Sequence, residues 1–239
     1  MKESKGEQTS KKVIVLFSIK NSQQFFTEMP KILNYGGADG MILTNLFKSN
    51  IHFKSPYPNM VQFLEIAKER NPEKEIGVEV NGTEHGYGRL FEIAGIAKEK
   101  FPFKSIGVEV EDSKNIFTSE HVITESSKRK LDKLWCRHEG TTVDRLNPNS
   151  VIIQSKDMYT LPDLETVRNT KESLMPQQSL VLVGDFSVEN VDQYIEYFDT
   201  VVIYNSFVTD GSHSYDSKKI KTFCQMVKGT LPSSVPATS

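Results

Sequence analysis

The most constraining feature of this chain is a repeated alternation. Short, almost continuously apolar runs rich in Val and Ile are separated by stretches with helical periodicity. The apolar runs are Val13–Ile19, Gly40–Thr44, Glu75–Val80, Ser105–Val110, Ser150–Gln154, Leu180–Val183 and Val201–Tyr204. A strand with one wet face alternates apolar and polar residues, whereas a strand covered on both faces is apolar throughout. Helical patterns fall between the runs at Met60–Arg70, Arg89–Lys100, Leu164–Leu174, Val188–Tyr197 and Asp216–Val227. Strands alternating with helices imply a parallel sheet joined by right-handed crossovers. The pentapeptide Ile-Gly-Val-Glu-Val occurs at Ile76–Val80 and again at Ile106–Val110. That separation is about one strand–helix unit of roughly 30 residues. The pattern predicts an α/β fold of the (β/α)8 TIM-barrel type over 13–228, with a shortened fifth βα unit.

The shortened unit lies between Asp112 and Ser150, which must hold a helix, a strand and a second helix if the barrel is complete. Ser119–Asp132 suits the first helix and Leu134–His138 the strand. Only Thr141–Leu146 is left for the second helix, which is short for one. The alternatives are a complete barrel with a stunted fifth helix, preferred here, or a barrel missing a unit. The polar starts and ends, 1–12 and 229–239, read as tails.

Bulk properties exclude several classes. A chain of 239 residues suits one large domain, able to bury roughly 70–75% of its unfolded surface without a metal or disulfide staple. The formal net charge of −2, with both signs interspersed, does not make the basic face that nucleic acid requires. Two cysteines, Cys136 and Cys224, form neither a disulfide framework nor a metal-ligand spacing. The first residues lack the apolar core of a secretory signal, and the longest apolar runs are far below the roughly 20 residues of a membrane span. A cytoplasmic protein without membrane insertion is expected. Homo-oligomerisation is compatible with the sequence, which does not specify it.

The last third carries a family resemblance. Leu161-Pro-Asp-Leu-Glu-Thr-Val-Arg168, then Leu180-Val-Leu-Val-Gly184, then Ser187-Val-Glu-Asn190 and Asp199-Thr-Val-Val-Ile203 resemble the C-terminal half of the BtpA/SgcQ family of phosphate-binding-type TIM barrels. Gly37-Ala-Asp-Gly40 resembles that family's approach to its second strand. The resemblance implies the barrel fold and, at matching positions, roles for Asp163, Gly184, Ser187 and Asn190. It implies little chemistry, since the family is linked to biogenesis of a photosynthetic membrane complex. This chain departs from the pattern at Ser18-Ile-Lys20, at Trp135-Cys-Arg-His138 and at Gly184-Asp-Phe186.

In such a barrel, working residues stand at the C-terminal strand ends. A phosphate is held by backbone N–H groups and a helix N-terminus. Gly184 after the seventh strand, Ser187 as cap of the following helix, and Asn205 and Ser206 after the eighth are the candidate phosphate ligands. Asp185 sets a negative charge at the same place, and a capped turn without ligand is the plainer reading. Glu79 and Glu109, equivalent in the two pentapeptide copies, suit acid–base work if one carboxyl is held protonated. They equally suit a buried ion network with Lys20, Lys156 and Arg137. His138 is a general-base candidate or a surface histidine. The Gly-rich run Asn81–Gly88, containing His85, matches neither the P-loop nor the dinucleotide fingerprint, and no cofactor or metal is expected. Two functions follow: binding of, and acid–base catalysis on, a phosphorylated sugar or nucleotide derivative, or a catalytically inactive barrel serving assembly of a protein complex.

Overall fold

A computed structural model describes residues 11–19, 21–44, 57–79, 109–111, 135–138, 141–144, 149–155, 159–204, 206–209 and 214–230. The strands are β1 (Lys12–Ser18), β2 (Gly40–Thr44), β3 (Glu75–Glu79), β4 (Glu109–Glu111), β5 (Trp135–His138), β6 (Thr141–Asp144), β7 (Ser150–Gln154), β8 (Ser179–Gly184) and β9 (Thr200–Ile203). Four α-helices are described: α1 (Ser22–Pro30), α2 (Tyr57–Arg70), α3 (Leu164–Ser173) and α4 (Ser217–Val227). The strands form one sheet in the order β3-β2-β1-β9-β8-β7-β6-β5-β4. Every neighbouring pair is parallel except β5–β6 and β6–β7. Eight strands therefore run the same way and β6 alone runs against them. The fold is an α/β TIM barrel carrying one inserted antiparallel strand.

That insertion corrects the expected stunted helix at Thr141–Leu146. Thr141, Thr142 and Val143 are β-branched and stiff at χ1, and a single turn cannot repay helix nucleation. The segment instead pairs back on β5, His138 opposite Thr141 and Trp135 opposite Asp144. A second correction concerns Val188–Tyr197, expected as a helix. Only a 3-10 turn forms there, Val191–Gln193. The Asn190 side chain accepts from Ser187 N at 2.8 Å and donates to the Asp185 carbonyl at 3.3 Å. Local side-chain bonds of this kind compete with the helix ladder.

The first crossover helix gave no clear sequence pattern. Asn21 caps α1 by accepting from Gln24 N at 2.8 Å. Pro30 has no N–H to continue the ladder, and the helix widens into a π-turn over Lys31–Tyr35.

Two apolar layers follow from the alternation of side chains along each strand. Val13, Val15, Phe17, Met41, Leu43, Leu180, Leu182, Val201 and Ile203 join the helices in the larger core. Ile14, Leu16, Ile152, Val181, Val183, Val202 and Tyr204 form the second cluster, on the barrel's inner side.

Two aspartates secure the N-terminal ends of the strands in the same way. Asp39, just before β2, accepts from Val13 N at 2.9 Å through its carboxylate and donates its own N–H to the Val13 carbonyl. Asp199, just before β9, does this with Leu180, at 2.8 Å through the carboxylate. Lys228 and Lys171 complete the pairs. The aspartate-led final strand is thus a device of the barrel floor, opposite the C-terminal strand ends.

Gly40 opens β2 where there is no room for a side chain. An added Cβ would stand 2.3 Å from the Glu75 carbonyl oxygen and 2.9 Å from Ile14 Cδ1. Gly40→Ala is expected to cost about 1–3 kcal/mol by overpacking, measured as a lower urea midpoint. An unchanged midpoint would show that β2 and β3 are not held this close.

Candidate functional site at the C-terminal face

The parallel strands end together at Ser18 (β1), Thr44 (β2), Glu79 (β3), Gln154 (β7) and Gly184 (β8), with Tyr204 directly after β9. On β1, Ser18 continues the inner series Ile14, Leu16. Its hydroxyl oxygen is buried and has no hydrogen-bond partner among the described residues. On β7, Gln154 Nε2 donates to the Tyr204 hydroxyl at 2.9 Å. A polar rim therefore lies over the apolar inner layer.

The loops after β8 and β9 meet at this rim. Asp185 follows β8 in the inner series Val181, Val183, and its Oδ1 accepts from Ser206 N at 3.0 Å and from the Ser206 hydroxyl. Asp185 N donates to the Thr160 carbonyl at 3.0 Å, which ties in the loop after β7 as well. Ser187, expected as the cap of a helix, caps the shorter turn: its hydroxyl accepts from Glu189 N at 3.3 Å. That hydroxyl and the local backbone hold the Glu189 carboxyl below the ordinary range. The Ser187 N–H is taken by Asn190.

The geometry revises the role expected of Gly184. Its missing side chain does not face the rim. An added Cβ would meet Pro162 Cδ at 3.0 Å, the Thr160 carbonyl at 3.1 Å and Phe186 at 3.3 Å. Gly184 is glycine because the loop after β7 crosses it closely. Beside that crossing, Asp163 caps α3 by accepting from Thr166 N at 2.8 Å and from the Thr166 hydroxyl, bonds that hold its carboxyl below the usual range. Phe186 is fully buried edge-on against Tyr194, whose hydroxyl donates to the Pro162 carbonyl at 2.8 Å.

Among the other expected site residues, Lys20, Lys156 and Asn205 lie outside the described residues. For Glu79, Glu109 and His138 the strand positions are described. Glu79 ends β3 in register with Thr44, itself in register with Ser18. Glu109 is the first described residue of β4, opposite Trp135. His138 ends β5 at its turn into β6. Glu79 and Glu109 are thus on the strands at the two ends of the pairing order, and only Glu79 ends its strand.

Residues not singled out from sequence shape the same face from behind. Tyr215, preceding α4, donates its hydroxyl to the Leu16 carbonyl at 3.1 Å. Its N–H donates at 2.7 Å to the buried carboxylate of Glu28 on α1. Burial, with Glu28 nearby, pushes the Tyr215 hydroxyl far above its ordinary pKa. Cys224 on α4 is a buried free thiol pushed up to about 12 by burial, so it packs and is no nucleophile.

No protein-family model matches the chain, and no curated protein matches it. Solved structures do resemble it. Phosphoribosyl anthranilate isomerase from Thermus thermophilus is 10% identical, over 91% of this chain and 98% of that one, with a TM-score of 0.57. Tryptophan synthase subunit alpha from Legionella pneumophila is 12% identical over 92% and 93%, with a TM-score of 0.60. A structure from Aquifex aeolicus reaches 0.62 at 13% identity over 92% of each chain. These likenesses show the TIM-barrel fold and no closer kinship; membership of the BtpA/SgcQ family is not shown. Among the described residues, no helix is long and apolar enough to cross a membrane.

Proposed function

We propose that this barrel binds a phosphorylated small molecule at its C-terminal face, between the loops after β8 and β9. The observation that carries the reading is the meeting of Asp185 and Ser206. A backbone N–H and a hydroxyl converge there on one oxyanion, the kind of donor set that also accepts a phosphate oxygen. That one of the similar barrels is named for a phosphoribosyl compound supports the same class of ligand. Lys20, Glu79, Glu109, His138 and Lys156 are the acid–base and ion-pairing groups proposed for chemistry at this face, with Ser187, Asn205 and Ser206 around the phosphate and Gly184 leaving room for the loop after β7 to cross beside them.

Thermal unfolding with a panel of sugar phosphates and nucleoside monophosphates tests the proposal. A ligand at a hundredfold excess over its dissociation constant adds about 2.7 kcal/mol of stability. Ser187→Glu should abolish that gain by placing a carboxylate beside the phosphate. No gain from any phosphorylated compound would sink this reading. It would leave the second one, a catalytically inactive barrel used in assembly, proposed because the oxyanion on Ser206 is the protein's own and because a strand, β6, stands where a helix was expected.

A further inference from the structure

We infer that Asp185 is the gate of this site: its carboxylate occupies the oxyanion position in the ligand-free protein and must turn out before a phosphate can enter. The inference rests on the proposed phosphate reading. Three observations place the gate in the side chain alone. The Asp185 main chain is held on both sides, its N–H by the Thr160 carbonyl at 3.0 Å and its carbonyl by Asn190 Nδ2 at 3.3 Å. Both Ser206 donors, N–H and hydroxyl, converge on the single atom Oδ1. The other oxygen, Oδ2, has no hydrogen-bond partner among the described residues, so turning the side chain breaks only the bonds to Ser206 among them. Two side-chain torsions therefore separate the closed arrangement from an open one, with no change in the strands. The neighbouring Ser187 N–H is likewise held by a side chain, Asn190 Oδ1 at 2.8 Å.

The gate also sets specificity. A free phosphate finds a like charge in its seat and has nothing to offer Asp185 in exchange. A phosphorylated compound that carries hydroxyl or amino donors can hydrogen-bond the displaced carboxylate. The site so built disfavours inorganic phosphate and favours phosphate esters of polyhydroxylated or amino compounds. A ligand that binds only the open form has its affinity reduced by the fraction of molecules that are open.

The test titrates inorganic phosphate into wild-type protein, Asp185→Ala, Asp185→Asn and the double variant Asp185→Ala/Ser206→Ala by calorimetry, with circular dichroism as a check on folding. Asp185→Ala should bind inorganic phosphate at least about tenfold more tightly than wild type, as expected if about one molecule in ten or fewer is open. Adding Ser206→Ala removes one of the two donors and should diminish the gain. Asp185→Asn keeps an acceptor for Ser206 without the charge and should gain less than alanine; it also serves if the alanine variant does not fold. Equal phosphate affinity in wild type and both Asp185 variants overturns the gate, as does a gain undiminished by loss of the Ser206 hydroxyl. If wild type binds a sugar phosphate while the variants gain nothing, the gate fails and the phosphate reading stands. If only the variants bind phosphate and wild type binds no phosphorylated compound, Asp185 is a fixed occupant of the seat, and the gate and the ligand reading both fail.

Discussion

Replacing Phe17 with alanine is expected to cost about 3–5 kcal/mol of stability, the range for deleting a buried aromatic side chain. Phe17 is fully buried near the end of β1. Its ring meets Tyr215 edge-on at 5.5 Å and stacks on Phe25 of α1 at 6.3 Å. Phe25 in turn packs on Phe63 of α2 at 4.5 Å. Phe17 thereby joins the sheet to α1 and to the segment leading into α4, and through Phe25 to α2. The surrounding walls are ladders and helices, which collapse poorly into a cavity, so the upper part of the range applies. Phe26, adjacent to Phe25 but 41% exposed, is the control: its alanine variant should lose less than about 1 kcal/mol. Urea unfolding at a constant slope measures both. A Phe17 variant losing no more than the Phe26 variant would show that this aromatic chain is not packed as described.

The same contrast shows what a sequence can disclose. β1, β2, β3, β7, β8 and β9 were legible because strands covered on both faces must be apolar almost throughout, and β4 overlaps the apolar run Ser105–Val110. α3 and α4 were legible from periodicity, and their caps Asp163 and Asp216 are of the expected type. β6 was missed because the βα rhythm predicts a helix after every strand. Two local signals spoke against one: the β-branched run Thr141-Thr-Val143, and the two-residue connection Glu139-Gly140, which suits a hairpin. α1 gave no clear pattern because its buried face, Phe25, Glu28 and Met29, includes a charged residue. At the site, the charge of Asp185 was visible as an obstacle to an anion, but its bond to Ser206 depends on where two loops from different strands meet. Glu28 and Tyr215 are beyond sequence reasoning for the same cause. Their contact joins residues 187 positions apart, and no pattern of spacing signals it.

That contact supplies the second large effect. Glu28 is 4% exposed on α1, yet its carboxylate is well supplied with donors. Oε2 accepts from Tyr215 N at 2.7 Å and from Ser214 Oγ at 3.3 Å. Oε1 accepts from Lys31 Nζ at 3.0 Å and from Ser214 Oγ at 3.2 Å. A buried charge persists only when so bonded. Glu28→Ala strands the Tyr215 N–H in the interior, a cost of about 1–3 kcal/mol, and leaves a void where the buried carboxylate stood. Lys31, with a third of its side chain exposed, regains water, so the full 3–5 kcal/mol of a broken buried pair is not due. The expected loss is about 2–4 kcal/mol, and Glu28→Gln, which keeps one acceptor for Tyr215, should lose about half of that. Tyr215→Phe removes only the bond to the Leu16 carbonyl. If Tyr215 is placed by Glu28, the two changes together should cost less than their sum, because neighbouring sites that share one arrangement are not additive. Strict additivity in this double-mutant cycle would mean that Tyr215 reaches β1 unaided, and that the chain returning from Ser206 to α4 is not fastened by the first helix.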